Sequence, residues 1–304
     1  MIDAISLAVE DAAKRLPTVE CRLEEPMKNH TSLRIGGPVR AMFFPGDDVK
    51  LAQLCDLLGA NGIKPFIMGN GTNLLVSDKR LDMIVVKTGG LDAIERTGET
   101  TITAGAGVLL SKLAAFACRC GLSGLEFAHG IPGSLGGAVV MNAGAYGGEM
   151  KDVVDTTTSY SINAGNHDVT GAEHDFSYRH SMFDGTGEIV LCSSMRLQKA
   201  DKENIKAKMD ELNARRREKQ PLELPSAGSA FKRPKNGYAS LLIEQAGLKG
   251  YSVGGAQISE KHSGFIVNRG GASFTDVLAV MDHARETVLK QFGIELEPEI
   301  KIIR

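Results

Sequence analysis

Between positions 124 and 148 the chain reads GLEFAHGIPGSLGGAVVMNAGAYGG, with eight glycines among small residues and almost no charge. Glycine loses more backbone freedom on folding than any other residue, so this density predicts neither a helix surface nor a simple strand. It predicts a shaped loop whose backbone N–H groups approach a ligand, often an anion, where a Cβ would clash. Pro132 fixes one φ in the middle of the run, so the loop is shaped as well as permissive. The ordinary alternative is a tight connector between buried strands, but such connectors run to only about 4–6 residues.

A second loop lies upstream, at positions 65–76, PFIMGNGTNLLV. Gly69 and Gly71 open the backbone, Asn70, Thr72 and Asn73 add side-chain donors, and Leu74 begins the next apolar run. No Lys-Ser/Thr pair follows at the spacing of a phosphate-binding P-loop. The third glycine and the following helix of a dinucleotide fingerprint are also missing. Gly105 and Gly107 form a third, weaker candidate that also reads as an ordinary strand-to-helix turn. Two long glycine loops in one chain imply a large, diphosphate-bearing cofactor.

A chain of 304 residues holds two or three domains, each with its own core. Its 42% hydrophobic and 24% charged content is that of a globular protein. A net charge of −2 excludes nucleic acid or an anionic membrane as the main partner. The five cysteines, Cys21, Cys55, Cys118, Cys120 and Cys192, are scattered without a CxxC pair. They read as reduced, mostly buried thiols of a cytoplasmic protein, and not as a disulfide framework or a metal site. The start, Met1-Ile2-Asp3-Ala4, lacks the basic flank and apolar core of a signal peptide, and no apolar run approaches the ~20 residues of a membrane span.

Element types alternate along the chain. Helices are expected over 3–16, from Asp47 or Asp48 to 58, 109–120, 203–219, 239–246 and 275–292, and strands over 41–44, 83–87, 100–103, 156–162, 189–197, 263–268 and 294–303. Prolines at 221 and 225 after a polar helix mark the best domain boundary. Arg215, Arg216 and Arg217 lie in a helix of mixed charge and read as a solvated face.

Three other segments carry chemistry. Positions 176–183 bring Tyr178, Arg179, His180 and Ser181 together beside aromatic anchors. Gly228-Ser229 is a tight backbone with a hydroxyl at its tip, followed by Lys232 and Arg233. Leu296-Glu297-Pro298-Glu299 lies near the end of the chain. On spacing alone these also read as a surface pair, a turn and the polar face of a strand.

The ordered set of segments is more specific than any member. NHTSLRIGG at 29–37, GNGTNLL at 69–75, the 124–148 loop, Tyr178-Arg179, Gly228-Ser229 and Leu296-Glu-Pro-Glu299 together resemble the UDP-N-acetylenolpyruvoylglucosamine reductases, over essentially the whole chain. The length and the short passage after Arg179 resemble the compact type II subtype. The resemblance implies an α+β fold: an FAD-binding unit of the PCMH, or vanillyl-alcohol-oxidase, type plus a separate α+β substrate-binding domain. The implied division is 1–64 joined by a C-terminal strand 296–304, then 65–200 as the second FAD-binding subdomain, and 201–295 as the substrate domain. The implied chemistry is a UDP-N-acetylmuramate dehydrogenase reaction of peptidoglycan synthesis. NADPH reduces a non-covalently held FAD, and the enolpyruvyl group of UDP-N-acetylglucosamine enolpyruvate then takes the hydride.

By the same resemblance Arg179 and Glu299 polarise the substrate carboxylate and Ser229 donates the proton. A guanidinium offers two parallel donors whose benefit grows as negative charge accumulates. Glu299 helps only while it keeps or shares a proton, so it is expected to titrate high in the substrate complex. Lys232, next to the serine turn, offsets a transient alkoxide. Expected cofactor contacts are Arg34, Gly69, Asn70, Gly71, Thr72, Asn73, Leu74, Gly107, Gly130, Ile131, Pro132, Gly133, Ser134, Gly136, Gly137, Asn142, Ala143 and Gly144. Expected substrate contacts are Tyr146, Tyr178, Lys232, Arg233 and Gln257, with Tyr178 serving both substrates in turn. At Arg233 some relatives carry Asn, and Ser240-Leu241 stands where Gly-Lys is usual, which weakens any cationic contact there. No metal is implied, and a monomer or weak oligomer is expected. Two rivals remain: an FAD-dependent alcohol or sugar oxidase of the same superfamily, and a non-catalytic nucleotide-binding module.

Overall fold

The structure, a computed structural model, describes residues 3–162, 164–235 and 237–304. Met1 and Ile2 of the amino-terminal segment therefore lie outside the described residues. Contacts divide the chain into two compact units: Met1–Glu25, Arg40–Asn70 and Asp82–Ala214 form the first, and Pro26–Val39, Gly71–Leu81 and Arg215–Arg304 the second.

In the first unit, strands Glu20–Pro26, Pro38–Phe44, Leu81–Lys87 and Phe66–Met68 lie in that order in one sheet. Helix Asp48–Ala60 buries Leu51, Leu54, Cys55 and Leu58. That i, i+3, i+4, i+7 spacing puts them on one face. Its start is fixed by Asp47, which accepts from the Lys50 N–H at 2.7 Å. A second, antiparallel sheet runs Gly165–Thr170, Val154–Ser161, Ile189–Arg196, Thr101–Gly105, Ile94–Arg96. Helix Leu135–Val140 packs on its central strand. This helix corrects the reading of positions 124–148 as free of helix. Leu135, Ala138 and Val139 keep helical spacing on a buried face, a pattern masked by the glycines around it.

In the second unit, strands Ser226–Ser229, Phe265–Asn268, Ala256–Ile258 and Ser252–Val253 form an antiparallel sheet. Helix Phe274–Phe292 buries Val277, Val280, Met281, Ala284 and Val288, starts in a Ser273/Asp276 capping box and ends at Gly293 in the left-handed region. Leu33, Ile35 and Leu75 enter this core, so segments of the expected 1–64 and 65–200 subdomains pack with the 215–304 region. The expected strand over 294–303 is a strand only at Lys301–Ile303, which pairs in parallel with Leu74–Val76 and not with a strand from 1–64. Pro298 has no N–H to give a ladder, and the backbone of Glu297 and Glu299 is used by another segment: Lys232 N–H donates to the Glu297 carbonyl at 2.8 Å, and Glu299 N–H to the Ala230 carbonyl at 2.9 Å.

Candidate functional site

Three glycine segments converge within the first unit. Asn70 donates through Nδ2 to the Pro132 carbonyl at 2.6 Å. Leu110 N–H reaches the Gly133 carbonyl at 3.0 Å, Leu135 N–H the Val108 carbonyl and Gly136 N–H the Ala106 carbonyl, both at 2.8 Å. The expected contacts Gly69, Asn70, Gly107, Pro132, Gly133, Ser134 and Gly136 are thus neighbours, with Gly130 and Ile131 just ahead and Gly137 on the exposed side of the short helix. A Cβ on Gly69 would fall on the Ser134 hydroxyl as it stands, so the glycine lets that hydroxyl lie against the upstream loop. Ser134 is buried, and its Oγ has no hydrogen-bond partner among the described residues. A buried hydroxyl without a partner is costly. Here it sits where two small-residue loops meet, which fits the diphosphate of an extended dinucleotide such as FAD.

Lys87 lies at this junction and escaped the sequence reading. Its ammonium donates to the Gly69 carbonyl at 2.6 Å. In a trans peptide the N–H of Asn70 points the opposite way, so the lysine aims that donor away from itself. Burial pushes the Lys87 ammonium down to about 8 from the usual 10.5. The one available signal was a lone charge closing the apolar strand MIVVK.

Arg179 occupies the tip of a two-residue hairpin. Ser177 N–H donates to the His180 carbonyl at 3.1 Å, and His180 N–H returns to the Ser177 carbonyl at 3.2 Å. Arg179 is left-handed (φ 57°), and its guanidinium lies 5.2 Å from the Tyr178 ring centre. Below the hairpin His174 is buried, stacked 4.7 Å from Phe176 and edge-on to Phe183. Its Nε2 lies 3.0 Å from Thr157 Oγ1 and its Nδ1 3.2 Å from the Gly171 carbonyl, and burial lowers its pKa. Beyond the glycine-rich helix, Ala143 N–H returns to the Ala138 carbonyl, and Gly144–Ala145 pairs with Gly148–Glu149. Tyr146 and Gly147 turn that hairpin, both at positive φ, and the tyrosine ring is exposed.

The second unit brings Ser229 and Glu299 together from opposite ends of its sequence. Strand Ser226–Ser229 pairs with Phe265–Asn268 through Ser226↔Val267 and Ser229↔Phe265. Three steps oppose two, which is a β-bulge, and Gly228 takes it at φ 79°. Nothing lies within 4 Å of a Cβ there, so the glycine serves conformation and not space. Glu299 N–H donates to the carbonyl of Ala230, the residue after Ser229, and Phe231 bridges Pro298. Asn73 Nδ2 supports the Glu299 carbonyl at 3.1 Å.

Among the expected substrate contacts, Lys232 pairs with Glu297 and Arg233 lies 4.6 Å over the Tyr238 ring. Both line a cavity of about 350 Å³ with Lys235, Ile294 and Glu295. Gln257 is nearly buried, with its amide committed at both ends, to the Gly250 carbonyl and to Arg269. Arg34 is exposed on a left-handed turn (φ 57°) set by Thr31, whose hydroxyl donates to the Ile35 carbonyl. The Gly71 carbonyl, between Asn70 and Thr72, accepts from Ser32 N–H, and Leu74 pairs with the C-terminal strand.

The family described as "FAD binding domain" matches residues 39–166, and that described as "UDP-N-acetylenolpyruvoylglucosamine reductase, C-terminal domain" matches 220–303. A UDP-N-acetylenolpyruvoylglucosamine reductase of Agathobacter rectalis is 50% identical over 97% of this chain and 98% of its own. The crystal structure of the enzyme of that name from Thermus caldophilus covers 94% of this chain and 99% of its own, at 36% identity and a TM-score of 0.80. An alkyldihydroxyacetonephosphate synthase covers 64% of this chain and 40% of its own at 14% identity and a TM-score of 0.50, a likeness of fold alone. With half of all positions shared along nearly its full length, and with both domains matched in order, the chain belongs to the UDP-N-acetylenolpyruvoylglucosamine reductase family.

Proposed function

We propose that this chain reduces the enolpyruvyl group of UDP-N-acetylglucosamine enolpyruvate to the lactyl ether of UDP-N-acetylmuramate, with FAD as cofactor and NADPH as hydride donor, in peptidoglycan synthesis. The observation that carries the reading is the Ser229 bulge set beside Glu299 in a member of this family. The chemistry FAD supplies when bound is hydride transfer from the reduced nicotinamide to the enolpyruvyl double bond. Arg34, residues 69–74, Gly107, residues 130–134, Gly136, Gly137, Ala143 and Gly144 would hold it. Arg179 offers a fork of donors to the substrate carboxylate as charge gathers there. Glu299, protonated, shares a hydrogen bond with the same carboxylate. Ser229 gives its proton to the α-carbon, and the bulge fixes the direction from which it arrives.

Tyr146, Tyr178, Lys232 and Arg233 hold the sugar nucleotide, and Gln257 meets it only by exchanging one of its two internal bonds. A cytoplasmic location and a monomeric or weakly associating state complete the proposal. Among the described residues no helix is long and apolar enough to cross a membrane. Anaerobic addition of NADPH should bleach the yellow protein, and UDP-N-acetylglucosamine enolpyruvate should restore the colour with one equivalent of UDP-N-acetylmuramate. Bleaching by an alcohol or sugar, with oxygen restoring the colour and no recovery on adding the enolpyruvyl compound, would establish the oxidase instead.

A further inference from the structure

Asn142 ends the glycine-rich helix segment, and its amide is consumed inside the protein. Nδ2 donates to Glu149 Oε2 at 2.8 Å and to the Ser177 carbonyl at 3.0 Å, and Oδ1 accepts from the Lys151 N–H at 2.9 Å. The orientation of the amide follows from its neighbours, because a carboxylate and a carbonyl can only accept and a backbone N–H can only donate. The residue is 1% exposed and left-handed (φ 42°), a conformation that Asn adopts more readily than most side chains. Its own N–H is taken by the Val139 carbonyl at 3.1 Å. Such a side chain has little left to offer a ligand. The Ser177 carbonyl that it holds also closes the hairpin carrying Arg179. A second tie runs beside it: Ser181 Oγ, fully buried, donates to the Val140 carbonyl at 2.7 Å.

We propose that Asn142 is a positioning residue for Arg179, bracketing the 177–180 hairpin against the end of the glycine-rich loop, and not a side-chain ligand of the cofactor. Ser181 is the second bracket. A left-handed arginine on a two-residue turn takes its starting direction from the backbone of that turn, and these two bonds tie the ends of the turn to the loop expected to carry FAD. The inference rests on the reading of Arg179 as the group that polarises the substrate carboxylate.

The test is a double-mutant cycle on the FAD-loaded enzyme with Asn142→Gly, Arg179→Ala and both together. Glycine keeps the left-handed backbone and removes the bond to the Ser177 carbonyl together with those to Glu149 and Lys151. Asn142→Gly is expected to slow flavin reoxidation by UDP-N-acetylglucosamine enolpyruvate by roughly 10²-fold, as a misplaced catalytic group does. In the Arg179→Ala background the same change should matter by no more than about twofold, and FAD affinity, read by flavin fluorescence, should stay within about twofold of wild type. Amide exchange at His180 should rise in the same variant. Losses that add in the double variant overturn the proposal, as does a large loss of FAD affinity with reoxidation unchanged. If Arg179→Ala itself leaves reoxidation intact, the reading of Arg179 fails first and takes the proposal with it. Should Asn142→Gly not fold, Ser181→Ala carries the same cycle, with a smaller effect of the same kind expected.

Discussion

Among the described residues the non-glycine positions with left-handed backbone are Glu24, Arg34, Asn142, Tyr146, Asp175 and Arg179. Four of them were assigned to the site from sequence, and Asp175 lies in the same arch as Arg179. Strain of this kind costs about 1–3 kcal/mol each and persists where the surroundings impose it, most often at functional sites. Ser134 carries a second kind of cost, its unpartnered buried hydroxyl. Ser134→Ala should therefore raise the unfolding free energy of FAD-free protein, by about 1 kcal/mol, while weakening FAD binding. Urea unfolding and fluorescence titration read the two effects, and a loss on both counts contradicts the assignment. Lys87 gives a pH signature. Its folded pKa is about 8 against the ordinary 10.5. Between those values the folded chain loses a proton that the unfolded chain retains. Stability should thus gain a contribution as pH rises through that window, and this contribution should vanish in Lys87→Met. Unfolding curves for both proteins at about pH 7.5 and about pH 10 measure it; identical pH dependence in the two would contradict it.

At the scale of elements, the bulge before Ser229 makes the sharpest demand. Gly228→Ala should cost about 1–2 kcal/mol of local strain and re-aim the hydroxyl. Reoxidation by the sugar nucleotide should slow while flavin reduction by NADPH stays intact; both rates unchanged in a variant that folds would remove the bulge from the mechanism. Elements of this chain were legible in sequence where one face repeats. The helix at Asp48–Ala60 and the long helix at Phe274–Phe292 follow from spacing and cap residues, and both ends fall within a residue or two of expectation. Two elements were misread for physical reasons. Glycine density hid the short helix Leu135–Val140, which gains stability from packing and not from propensity. The alternation over 294–303 suggested one strand, but Pro298 and the demands of residues 230–232 divert its first part. Lys87 and the bracket role of Asn142 were not legible, because each depends on a partner far away or on an orientation that spacing does not carry.

For the molecule as a whole, net charge near neutrality and two hydrophobic cores give a frame on which the chemistry is assembled from separate stretches. The sequence trio is distributed between the units, Arg179 in the first and Ser229 with Glu299 in the second. The match to relatives runs through both units and covers nearly all of the chain. What the account requires is that the serine act in the second half of the cycle only. Ser229→Ala enzyme, mixed without oxygen first with NADPH and then with UDP-N-acetylglucosamine enolpyruvate, isolates that step. The flavin should bleach at close to the wild-type rate and recover its colour about 10²–10⁴-fold more slowly. Equal slowing of both phases, or recovery at the wild-type rate, would contradict the account.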